Sequence, residues 1–140
     1  MRHITQRWIV PTLLVALAAG AQAQPRGGPG RWDYQNSCAS CHGVTGQGDG
    51  PLVRHLVTPP TDLSRLAQRN GGVFPRERLV ELIDGRSSTE MGPHGSREMP
   101  IWGNTFTERF TQQGGSQRLA EEAARRRIRH LVDHLERMQQ

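Results

Sequence analysis

The chain contains no lysine; all 18 of its basic residues are arginine. That excludes a phosphate-loop lysine and a lysine Schiff base, since both need a primary amine. Aromatic residues make up 5% and apolar residues 34% of the 140 positions. A chain of this length folds as one small domain. Its core must be thin, so a staple, a metal or a cofactor is expected to complete it. No segment alternates polar and apolar residues convincingly, so no strand is expected. Cysteine is scarce: there are two, and both fall in "CASCH" at 38–42.

The first residues have the pattern of an export signal. Arg2 and Arg7 give a positive start, Trp8 to Gly20 is mostly apolar, and Ala21-Gln22-Ala23 fits a small-x-small cleavage site. Cleavage after Ala23 is expected, with a flexible leader over 24–30 and one domain over 31–140. The apolar stretch is short and carries Pro11, whereas a span takes about 20 apolar residues. The product is expected to be periplasmic, with no transmembrane span after cleavage. Removing the signal takes two arginines and no acid, leaving 16 basic against 13 acidic residues, a charge of +3. That suits an acidic docking partner and gives no case for nucleic acid. The run Arg125-Arg126-Arg127-Arg129 is expected to be a solvated helix face.

Helical signals run through the rest. Arg31 to Ser40 has packing residues for a short helix. "GVTGQGDGP" (43–51) must be loop, because four glycines and a proline break regular structure. "PPTDLSRLAQR" (59–69) predicts a proline stop and a short helix capped by Thr61 or Asp62. "PRERLVELIDG" (75–85) predicts a helix ended by Gly85. Arg86 to Asn104 lacks an apolar period and is expected to be a long connection, a place where function often sits. Ser116 to Met138 carries the strongest pattern, with Ala124, Ile128, Leu131, Leu135 and Met138 on one stripe. The fold class is all-α, with three to five helices.

"CASCH" admits a disulfide, a redox dithiol, a zinc site or covalent haem. A disulfide across two intervening residues would stabilise little and leaves His42 unexplained. A redox dithiol wants a preceding strand, and structural zinc wants four ligands. On a helix, Cys38 and Cys41 lie about 300° apart and face nearly the same way. Two thiols so placed can add to the two vinyl groups on one porphyrin edge, and His42 can swing beneath the ring to ligate iron. C-x-x-C-H is the attachment pattern for haem c. The glycines of 43–50 are expected to let backbone lie against the ring edge.

The chain resembles the small soluble class I c-type cytochromes. The resemblance rests on "YQNSCASCHG" (34–43), "PPTDL" (59–63) and "MPIWG" (99–103), and runs from about Arg31 to the C-terminus. It implies a cytochrome c-like domain wrapped around one covalent haem c, with the last helix crossing the first. It places the distal methionine at Met99, with Pro59 or Pro60 supplying a carbonyl to His42. Met91, His55 and His94 are the competing sixth ligands. Trp102 is expected near the haem, where its indole N–H could reach a propionate. Arg65 and Arg86 are expected to be exposed, with a propionate contact as the alternative, and Asp49 is expected to be a turn residue. Met138 is expected to pack, and His130 and His134 to face water.

Ligation by His42 and Met99 would make the chain an electron carrier, because a neutral thioether raises the potential and blocks substrate from iron. Partners would then be redox proteins: a dehydrogenase, an oxidase or a membrane complex. The alternative is a haem enzyme or gas sensor with an open sixth position and a distal acid–base residue.

Overall fold

The computed structural model describes residues 28–87 and 99–140. Among them are six α-helical segments and two 3-10 turns, with no strand. The expected apolar stripe lies on α6 (Gln117–Arg137), whose Ala124, Ile128, Leu131 and Leu135 are buried. Three other helices pack on it: α1 (Gly28–Ser37), α4 (Arg76–Asp84) and α5 (Trp102–Gln112). They contribute Tyr34, Leu79, Ile83, Trp102 and Phe106 to a single core. Met138 packs against that core, as expected.

α6 crosses α1 at very close range. A methyl group on Gly30 would fall 1.8 Å from the carbonyl oxygen of His130. Only a residue without a side chain permits that approach. α1 begins at Gly28, three residues ahead of the expected Arg31.

The same crossing corrects the expectation for the arginine run. Arg127 is not on a solvated face. Its guanidinium pairs with the buried carboxylate of Asp33 on α1 and lies 4.2 Å above the ring of Phe106 on α5. One cation therefore ties three helices together. Removing it would strand Asp33 in the core, where an uncompensated charge is costly.

Helical segments outnumber the expected three to five for three reasons. Cys38, at φ −118° and ψ −39°, interrupts the first helix, so α2 (Ala39–His42) follows as a separate turn. α3 (Leu66–Arg69) is a single turn after the 3-10 segment Leu63–Arg65. α5 was not anticipated at all, since 86–104 was expected to be connection. Asp62 does cap the 60s segment, accepting from the Ser64 amide, and Gly85 does end α4, in the left-handed conformation at φ +69°.

Candidate functional site

α2 is positioned by hydrogen bonds at both ends. The Cys38 amide still donates to Tyr34, as in a continuous helix, and the Cys38 carbonyl accepts from Cys41 and His42. The two cysteines thus keep helical spacing across the interruption. Both are free thiols and half-buried. Burial, then Asp33, then Cys41, push the Cys38 thiol up to about 12. A redox dithiol needs the opposite, a thiolate at neutral pH. Among the described residues no group of three or more His, Cys, Asp or Glu could hold a metal ion, so zinc has no ligand set there.

The glycine loop also has a use within the polypeptide itself. The Gly48 amide donates to His42 and the Gly50 amide to Cys41, capping carbonyls that α2 leaves open. A methyl on Gly50 would fall 2.5 Å from the Ser40 carbonyl. Gly48, at φ +79°, presses against the Pro60 carbonyl, and the Gly46 carbonyl accepts from Leu63. The loop is a spacer between α2 and the 60–63 segment.

That spacer sets the histidine. His42 Nδ1 lies 3.1 Å from the Thr61 carbonyl. A carbonyl only accepts, so Nδ1 carries the proton and Nε2 keeps its lone pair. The acceptor is one residue beyond the expected Pro59 or Pro60. Burial holds the imidazole below its ordinary value, partly offset by the Thr61 bond. The ring is therefore neutral at pH 7 and has one nitrogen available as a ligand.

The donor set fits a covalent haem: two thiols one turn apart and a neutral, oriented imidazole next to the second. Apolar surface fits as well. Leu52 and Val57 lie on the connection between Gly50 and Thr61, and Val57 is 93% exposed despite the chain's shortage of apolar residues.

Met99 sits on the segment leading into α5. It is 40% exposed, three residues ahead of α5. Ile101 packs against Gly85 at the end of α4, and Trp102 is buried against Phe106, ring centroids 5.5 Å apart. Trp102 is thus a core residue. Arg86 bonds to Asp84 and Glu121 and is shielded rather than exposed, while exposed Arg65 stands 3.8 Å from Asp62. His55 is exposed and accepts from Arg54. Met91 and His94 lie outside the described residues, as does the expected signal segment. His134 does not simply face water: its ring packs on Tyr34 at 5.2 Å, centroid to centroid.

These features define a helical domain built to take haem through C-x-x-C-H. A family model described as cytochrome c matches residues 29–113. The chain belongs to the cytochrome c family, whose members bind haem c covalently and transfer electrons. The match ends before α6. Comparison with curated proteins and with solved structures gave no match. No described helix is long and apolar enough to cross a membrane.

Proposed function

We propose that this chain is an exported monohaem electron carrier, free or as the carrier subunit of a redox complex. Cys38 and Cys41 would hold haem c through thioethers, and His42 Nε2 and Met99 Sδ would ligate its iron from either side. Bound haem supplies a one-electron couple. The observation that carries the reading is the Thr61–His42 hydrogen bond, which fixes the tautomer and leaves Nε2 as a donor. The buried, protonated Cys38 thiol supports thioether attachment over redox exchange. Arg2, Arg7 and the Ala21-Gln22-Ala23 site support export, and an exported carrier would work in a periplasm with redox proteins as partners.

One observation favours a second reading. Met99 is 40% exposed, and a thioether absent from the iron would leave a haem enzyme or gas sensor. Carbon monoxide added to the reduced protein separates the two. A spectrum left nearly unchanged, becoming responsive in Met99→Ala, supports the carrier. Rapid, complete binding by the wild type supports the sensor. If Met91→Ala rather than Met99→Ala creates the response, the ligand assignment moves to Met91.

A further inference from the structure

α4 is fastened to α6 by an arginine at each end. At its start, Arg76 bonds to Asp133 at 2.6 Å and to Glu136. At its finish, Arg86 Nε and Nη2 bond to the two carboxylate oxygens of Asp84 at 2.6 and 2.8 Å, while Nη1 reaches Glu121 on α6 at 2.6 Å. The second clasp is the better shielded. Its three side chains are 19–29% exposed, against 37–47% for the first. Shielding from water and salt makes the same charges worth more.

Location separates the two clasps further. The Arg86 clasp is built into the entry of α5. A methyl on Gly103 would fall 2.4 Å from Arg86 Nε and 2.5 Å from Asp84 Oδ1. The Asp84 carboxylate therefore sits beside the first turn of α5, where the helix dipole favours negative charge. No side chain of α5 caps its own start. Two residues earlier, Ile101 packs on Gly85. Met99 stands just ahead of this seam, and Pro100 restricts the backbone between Met99 and Ile101. Met99 is two residues from Ile101, so fixing Ile101 and Gly103 limits how far Met99 can move.

We infer that Asp84, Arg86 and Glu121 are positioning residues for Met99, keeping its thioether in reach of the sixth axial site by locking the start of α5 to the end of α4. This rests on the His42/Met99 reading above. Arg76 makes a similar contact at the far end of α4 and has no such role, so it serves as the internal control.

The test compares wild type, Arg86→Gln, Glu121→Gln and Arg76→Gln as matured haem proteins. Three quantities are read: the sulfur-to-iron charge-transfer band of the oxidised form, carbon monoxide binding to the reduced form, and the melting temperature. In Arg86→Gln the charge-transfer band weakens and the fraction open to carbon monoxide rises about tenfold, the size one charge-assisted hydrogen bond carries. Arg76→Gln lowers the melting temperature but leaves band and gas binding at wild-type levels. Glu121→Gln keeps the Asp84–Arg86 pair and gives a smaller shift in the same direction; it decides the matter if Arg86→Gln fails to mature. The inference is overturned if the Arg86 and Glu121 variants keep the wild-type band and gas resistance, or if Arg76→Gln loses them equally. A wild type with no charge-transfer band overturns the His/Met reading instead, so the two failures are distinguishable.

Discussion

The two sides of the candidate site are built on different plans. The cysteine–histidine side, from Tyr34 to Leu63, is local in sequence and dense in hydrogen bonds: the backbone bonds Cys38 to Tyr34, Gly48 to His42 and Gly50 to Cys41, and the His42 side chain to the Thr61 carbonyl. The methionine side depends on distant partners. Met99 is exposed, and its neighbours Ile101 and Gly103 are held by α4, which in turn is held by Glu121 on α6. A ligand fixed by its own segment should be hard to dislodge. One fixed through a chain of tertiary contacts should come and go as those contacts do. Under the proposed His42/Met99 ligation, the site would join a rigid donor to an adjustable one.

The largest expected effect separates the two sides directly. The double variant Cys38→Ser, Cys41→Ser should lose all covalently retained haem, seen as complete removal of colour by acid–organic extraction. Met99→Ala should retain all of it under the same extraction while becoming responsive to carbon monoxide. If Met99→Ala also loses its covalent haem, the sides are not independent.

Next in size is a substitution aimed at the spacer. Gly48→Ala adds a methyl 2.5 Å from the Pro60 carbonyl at a backbone φ of +79°. The left-handed strain alone costs about 1–2 kcal/mol, and the clash forces the 60–62 segment away from α2. Stability should fall by roughly 2–3 kcal/mol once both are counted. Because Thr61 moves with that segment, proton exchange at His42 Nδ1 should accelerate. Gly114→Ala is the comparison: it carries the same left-handed strain at φ +88° but has nothing within 4 Å of an added methyl. It should lose only the strain and leave His42 untouched. Equal effects on His42 from both variants would remove the spacer's role.

The same contrast governs what the sequence made legible. "CASCH" and the stripe on α6 are local patterns, and both appear in the fold at their expected positions. The resemblance put the His42 acceptor within one residue of Thr61, since it marks the proline segment but not which carbonyl turns inward. α5 was hidden by Gly103, Asn104, Thr105 and Thr107, all weak helix formers. A spacing signal existed in Trp102, Phe106 and Phe110, each four residues apart, and burial of the first two overrides the propensity. Arg127 looked like its neighbours in the arginine run; only the approach of α1 gives it the Asp33 partner. The Asp84–Arg86–Glu121 clasp spans 35 residues at its longest bond, and no local pattern announces it.

The smallest expected effect sits on the α1–α6 crossing. His134 is held below its ordinary value, first by burial and then by Arg137 and Arg31. Its ring packs on Tyr34, whose hydroxyl donates to the Gly43 carbonyl just after His42. A histidine with a depressed value binds its proton more readily in the unfolded chain. Between the two values the unfolded state carries more protons, so stability rises with pH. The contribution is fully present above the ordinary value of 6.5 and is lost as pH falls from there through the folded value. His134→Gln cannot titrate, so its melting temperature should fall less steeply than that of wild type on acidification below that point. Above it the two slopes should be parallel. The Met99 readouts should stay unchanged throughout, since His134 supports α1 and the cysteine–histidine side. Identical acid slopes for the two proteins would show that the Tyr34–His134 contact does not couple protonation to folding. A charge-transfer band that weakened in His134→Gln would tie this crossing to the methionine side and break the division between them.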